Sequence, residues 1–291
     1  MTAAPFGQVL TAMVTPLTAD GSVDLPRAAA LADRLVAQGN HGLVVSGTTG
    51  EAPTTSREEK ADLLRAVVDA VGGRAHVLAG VGTNDTRHSI ELAQDAEKAG
   101  ATGLLAVTPY YSRPPQAGIV AHTLAVAEST ALPVMLYDIP VRTGQALLHE
   151  TLLELGAHEQ VVAVKDAKDD LVATSLLLAE CDLAVYCGTD ALNLPQLAIG
   201  AVGVVSVISH VVTPQLVELV NAYTTGDVAR AAELNLTLMR VCTGLFRTQG
   251  VILAKAALAL QGFPVGGVRL PLVEATGEQV AQLQRDLEGF L

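Results

Sequence analysis

The chain has 291 residues, half of them hydrophobic, with 3% aromatic residues, no tryptophan and a formal net charge of −12. That acidity argues against nucleic acid as a partner, because phosphate binding needs a basic face and no Lys/Arg cluster occurs. No apolar run reaches the ~18 residues of a membrane span, and the N-terminal residues carry no secretory pattern, so a cytoplasmic location is expected. The three cysteines, Cys181, Cys187 and Cys242, form no C-x-x-C and read as idle thiols of a reducing compartment.

Short apolar runs alternate with longer segments of helical period. The runs at 9–14, 42–45, 76–80, 103–107, 134–137, 161–165, 184–188 and 204–207 predict eight strands, each followed by helical sequence. Ser56 and Glu59 form a capping-box pair ahead of one helix. Gly39, Gly72 and Gly100 fall where left-handed helix caps are expected. Eight βα units close most economically into a (β/α)8 TIM barrel. An open doubly wound sheet would want a Gly-rich turn after the first strand, and Met13, Val14, Thr15 and Pro16 supply none. Strand signals stop near Val220. Residues 1–225 are therefore expected to form the barrel and 226–291 a small C-terminal helical region, with helices at 229–246, 251–261 and 278–291.

Barrel chemistry gathers where the strands end at their C-terminal side. The second strand runs into Ser46, Gly47, Thr48, Thr49, Gly50 and Glu51, a turn that can aim amides and two hydroxyls at a small anion. A tight turn accounts for the glycines but not for two adjacent threonines. The fourth strand leads into Thr108, Pro109, Tyr110 and Tyr111, a proline-stiffened contact loop. Tyr137 ends the fifth strand, where it is either a proton-relaying phenol or simply an aromatic closing the barrel top. Arg142, five residues on, is a fixed cation near the mouth, suited to a carboxylate. Lys165 ends the sixth strand, in phase with inward-pointing Val161 and Ala163. An ammonium is costly to bury there, and a buried amine is what a lysine nucleophile requires. A salt bridge with Asp166 or another carboxylate is the competing reading. Of the other lysines, Lys60 and Lys98 read as solvated charges and Lys168 as part of a polar loop. Lys255, within an apolar helix, reads as snorkelling. Gly188, ending the seventh strand, leaves room for a substrate. The seven histidines are scattered and form no zinc motif, and no nucleophile elbow occurs.

Four segments together resemble the dihydrodipicolinate synthase/N-acetylneuraminate lyase family: 47–51, 108–111, 137–140 and 164–167. The likeness covers nearly the whole chain, in order and in spacing. The stretches 165–169 and 188–195 look most like the actinobacterial synthases. The resemblance implies a lyase/synthase that condenses pyruvate with L-aspartate 4-semialdehyde through a Schiff base, in diaminopimelate and lysine biosynthesis. It implies Lys165 as the imine-forming lysine. Tyr137 would be the proton relay, linked through Thr48 to Tyr111 of a neighbouring subunit. Thr48 and Thr49 would hold the pyruvate carboxylate, Arg142 the carboxylate of the aldehyde substrate, and the Val205 backbone would contact pyruvate. No organic cofactor and no metal are implied, and a homotetramer built as a dimer of dimers is. Arg142 separates the chain from the sialic acid lyases, which resemble it around Tyr137 but lack that arginine. Another pyruvate-dependent aldolase of the family is the alternative. Asn84 and Tyr110 match the lysine feedback site of inhibited members. His88 replaces a glutamate there, Arg57 and Lys60 replace histidines, and Ala52 a serine. The added positive charge is expected to repel L-lysine. Asp138 stands where many relatives carry Asn.

Overall fold

The computed structural model describes residues 3–291. Eight parallel strands close into a barrel in chain order: β1 (Val9–Ala12), β2 (Gly42–Val45), β3 (His76–Gly80), β4 (Gly103–Val107), β5 (Val134–Asp138), β6 (Val161–Asp166), β7 (Ala184–Cys187) and β8 (Gly203–Ser206). Nearly every strand residue is buried, as befits strands covered on both faces. Around them lie α1 (Leu25–Ala37), α2 (Arg57–Val71), α3 (Thr86–Lys98), α4 (Gln116–Ala127), α5 (Pro140–Thr143), α6 (His149–Gly156), α7 (Leu171–Glu180), α8 (Asn193–Ile199) and α9 (Ser209–Thr224).

The helices form for local reasons. Asp24 caps α1 by accepting from the Arg27 amide, and Ala28, Leu31, Ala32 and Leu35 make the stripe that packs inward. Both halves of the capping box at Ser56 and Glu59 are present on α2. Gly39 and Gly100 are left-handed (φ +111° and +85°). Gly72 is not; the next residue, Gly73, takes that conformation instead at φ +80°.

Beyond α9 come α10 (Val228–Leu245), α11 (Gly250–Leu260) and α12 (Gly277–Asp286). The last helix stops five residues short of the expected end, with Gly289 left-handed beyond it. Residues 262–275, between α11 and α12, are irregular and run back over the barrel. The Leu17 amide bonds the Val265 carbonyl at 2.9 Å, and the Arg269 guanidinium reaches Gly21 and Thr54 carbonyls. No helix among the described residues is long and apolar enough to cross a membrane.

One irregularity in the sheet matters for the site. Val134 of β5 pairs with Val161 of β6, but Met135 pairs with Ala163, so Val162 is an extra residue on β6. Such a bulge shifts the register by one position. Past it, Tyr137 pairs with Lys165; without it, Val164 would stand there.

Candidate active site

Lys165 and Tyr137 are each only 5% exposed, and the lysine Nζ sits 4.3 Å from the centre of the Tyr137 ring. Asp166 is not the lysine's partner. Its carboxylate accepts from Thr174 Oγ1 at 2.5 Å and from the Lys168 amide at 2.9 Å. Among the described residues no carboxylate stands within ion-pair distance of Lys165; the buried lysine pairs are those of Lys168 and Lys255. The amine instead faces a cavity of about 460 Å³, whose walls include Thr48, Thr49, Tyr137, Arg142 and Gly188. The strand-end residues expected on β2, β5, β6 and β7 thus meet around one space.

The two-threonine turn is tightly built. Ser46 and Glu51, neither of them glycine, bracket it with left-handed backbone at φ +56° each. The Gly50 amide bonds the Gly47 carbonyl at 3.0 Å, and the Glu51 amide the Thr48 carbonyl at 3.2 Å. Thr15 Oγ1 holds the Gly50 carbonyl at 2.6 Å. On β3, a Cβ at Gly80 would fall 2.3 Å from the Ser46 carbonyl oxygen, so only glycine lets the turn settle against that strand. Gly188 plays a related part. A Cβ there would meet Lys165 Cγ at 3.0 Å, so the space it leaves first admits the lysine stem.

Arg142 lies on the single-turn α5, which Gly144 ends at φ +86°. Asp138 closes the loop that carries it. Its Oδ1 accepts from the Leu147 amide at 3.2 Å, and Oδ2 lies 3.4 Å from Lys168 Nζ. Lys168, expected in a polar loop, is therefore largely enclosed, its side chain 9% exposed, and has a partner. Burial pushes the Asp138 carboxyl up to about 6, against the pull of Lys168. With the folded value above the unfolded one, Asp138 contributes most to stability below pH 4 and loses that contribution as pH rises through 6. The stability of the native chain minus that of Asp138→Asn should fall by roughly 2 kcal/mol between pH 4 and pH 7. Urea titrations across that range would show it, and a flat difference would exclude it.

Two residues of the expected set do not line this chain's cavity, one of them, Tyr111, having been expected to serve a neighbouring subunit. Val205 is buried in β8 beside Leu10 and does not line the cavity; Val207, two residues on, does. Tyr111 is 90% exposed, with left-handed backbone at φ +72°, and is not part of the cavity wall. The C-terminal helices supply residues that the sequence reading missed. Cys242, Thr243 and Phe246 of the α10 end, and Gln249, Gly250 and Val251 of the α11 start, complete the cavity wall. The cysteines are unpaired, and burial pushes the Cys187 and Cys242 thiols up.

Lys255 does not snorkel. Its side chain is 3% exposed, and Nζ donates to Glu51 Oε1 at 2.6 Å and to the Gly267 carbonyl at 2.5 Å. Lys60 is not a solvated charge either; it is half-buried, bonds the Thr55 carbonyl, and burial pushes its ammonium down. It lines a second cavity of about 460 Å³ together with Asn84, His88, Tyr110 and Ala52. That cavity shares Thr48, Tyr137, Ile139 and Arg142 with the first. Arg57 lies outside it, paired with Glu91 at 2.9 Å and Asp95 at 2.5 Å, so its charge is already compensated.

Fold and site together define a (β/α)8-barrel enzyme with a buried strand-end lysine facing its cavity. The sequence pattern of the Dihydrodipicolinate synthetase family matches residues 5–289, and the chain belongs to that family. It is 65% identical to the 4-hydroxy-tetrahydrodipicolinate synthase of Acidothermus cellulolyticus, over 98% of this chain and 92% of that one. It is 59% identical to 4-hydroxy-tetrahydrodipicolinate synthase 2 of Streptomyces coelicolor, over 97% and 95%. Among solved structures, the DHDPS of Cyanidioschyzon merolae with lysine bound superposes with a TM-score of 0.97 at 40% identity, covering 99% of each chain.

Proposed function

We propose that the chain condenses pyruvate with L-aspartate 4-semialdehyde to 4-hydroxy-tetrahydrodipicolinate, with Lys165 supplying the amine. One observation carries this reading: the buried Lys165 amine has no carboxylate partner among the described residues and shares its cavity with Tyr137, the Thr48–Thr49 turn and Arg142. Lys165 Nζ attacks the ketone carbon, and the ketone oxygen leaves as water. The imine, a protonated electron sink, then gives up a methyl proton to become an enamine. The enamine carbon bonds to the aldehyde carbon. The substrate's own amine then displaces Lys165 from the imine carbon, which closes the ring and frees the enzyme. Tyr137 passes the protons, through Thr48 and the Tyr111 hydroxyl of a second copy of the chain. Thr48 and Thr49 hold the pyruvate carboxylate, and Arg142 that of the aldehyde.

The exposure and strained backbone of Tyr111 support its serving a neighbour's site, within a dimer of dimers. The division at residue 225 is supported by α9 ending at Thr224 and α10 starting at Val228. Free cysteines fit a cytoplasmic location. Incubation with pyruvate and borohydride should leave a reduced pyruvate adduct on the peptide containing Lys165. Mass spectrometry finding none there would overturn the reading.

The second cavity bears on feedback. Lys60 brings positive charge, and the one carboxylate lining that cavity, Asp85, already caps α3 by accepting from the His88 amide at 3.2 Å. Initial rates should change less than about twofold with submillimolar L-lysine, since a like charge in a half-enclosed site disfavours an ammonium ligand. Strong inhibition in that range would contradict this.

A further inference from the structure

Glu51 and Lys255 are 204 positions apart in sequence and form a buried pair at 2.6 Å, with side chains 2% and 3% exposed. Neither lines the cavity that Lys165 faces, yet each belongs to an element that does. Glu51 ends the turn that presents Thr48 and Thr49. Lys255 lies on α11, whose first residues, Gly250 and Val251, form another part of the same wall. Both carboxylate oxygens of Glu51 are engaged, Oε1 by Lys255 and Oε2 by the Arg269 amide at 2.9 Å. Arg269 is in turn clamped to Glu59 at the start of α2. The Glu51 carbonyl accepts from the Thr54 amide at 3.0 Å.

The turn needs such a clamp. Its two ends, Ser46 and Glu51, are held in a backbone region that L-residues avoid, and such strain persists only where surrounding contacts over-determine it. The internal bonds of the turn do not reach α11; the Glu51–Lys255 pair does. We propose that Glu51 and Lys255 are positioning residues for the pyruvate carboxylate: their pair fixes where Thr48 and Thr49 stand relative to Lys165. This rests on the Schiff-base reading of Lys165. Misplacing a binding group by about 1 Å can cost up to ~100-fold, so loss of the clamp should be felt as weaker pyruvate capture.

The test compares the full-length native chain with Glu51→Gln and with the double variant Glu51→Gln/Lys255→Met. Removing both charges avoids stranding one in the interior, the usual reason that such a single variant unfolds. The readout is the pyruvate concentration giving half-maximal borohydride trapping on Lys165, beside KM for each substrate. The double variant should need at least about tenfold more pyruvate, with KM for the aldehyde changing less than about threefold. Glu51→Gln, which keeps an acceptor for Lys255 but offers a donor to the Arg269 amide, should shift the same way by less. Unchanged half-saturation in either folded variant would overturn the proposal. So would an equal rise in both KM values, which is general loosening, or failure of both variants to fold, which makes the pair structural. Absence of trapping in the native chain would show in a separate arm, and would sink the Schiff-base reading and this proposal with it.

Discussion

Lys165→Ala should trap no pyruvate and lose at least about 10⁴-fold in kcat/KM, the scale on which removal of a covalent nucleophile acts. Among the described residues no other lysine lines the cavity that Lys165 faces. Lys255, the other fully buried lysine, is locked to Glu51 and the Gly267 carbonyl and does not line that space. The substitution should leave the barrel intact. The position lies on a strand flanked by Tyr137 and Tyr186, and the removed stem opens into the cavity instead of leaving a sealed void. Circular dichroism and Tm would verify the fold, and trapping followed by peptide mass spectrometry would report the chemistry. An adduct elsewhere in the Lys165→Ala protein would show that another amine does the work.

Tyr137→Phe should reduce kcat by about 10²- to 10³-fold with a much smaller effect on pyruvate KM, because it deletes a proton relay and leaves the ring. The geometry makes this a clean comparison. The ring faces the Lys165 amine at 4.3 Å and the residue is 5% exposed, so phenylalanine can keep the packing. If the tyrosine merely closed the barrel top, the phenylalanine variant would run at the native rate. Single-turnover trapping sharpens the result: adduct should still accumulate on Lys165, only more slowly.

Much of the site is legible in the sequence because it is local. Strand ends are marked by apolar runs giving way to polar or glycine residues, and the barrel puts all such ends on one rim. Thr48, Thr49, Tyr137, Arg142, Lys165 and Gly188 are found that way, and all line one cavity. Lys255 is legible as an oddity, an ammonium in an apolar helix, but its meaning is not. A helix position shows that a charge is buried without showing what lies opposite, and its partner is 204 residues away. Lys168 illustrates the same gap over a shorter span: it reads as a polar loop residue until the fold sets it against the carboxylate of Asp138 at the end of β5.

The cavity wall from α10 and α11 has no sequence signal at all. Those helices read as a separate appendage, because amphipathic pattern reports which face is buried and not what covers it. The sequence by itself determined the alternation of strands and helices, the closure of eight units into a barrel, and the single lysine ending a barrel strand. Tertiary structure decided which neighbour that lysine would meet. The pattern of β6 alone allows either Val164 or Lys165 beside Tyr137, because alternation along one strand does not fix its offset against the next. The extra residue at Val162 moves the pairing by one step and brings the amine over the phenol ring. Register is a property of two strands packed together, so no single strand's sequence could announce it.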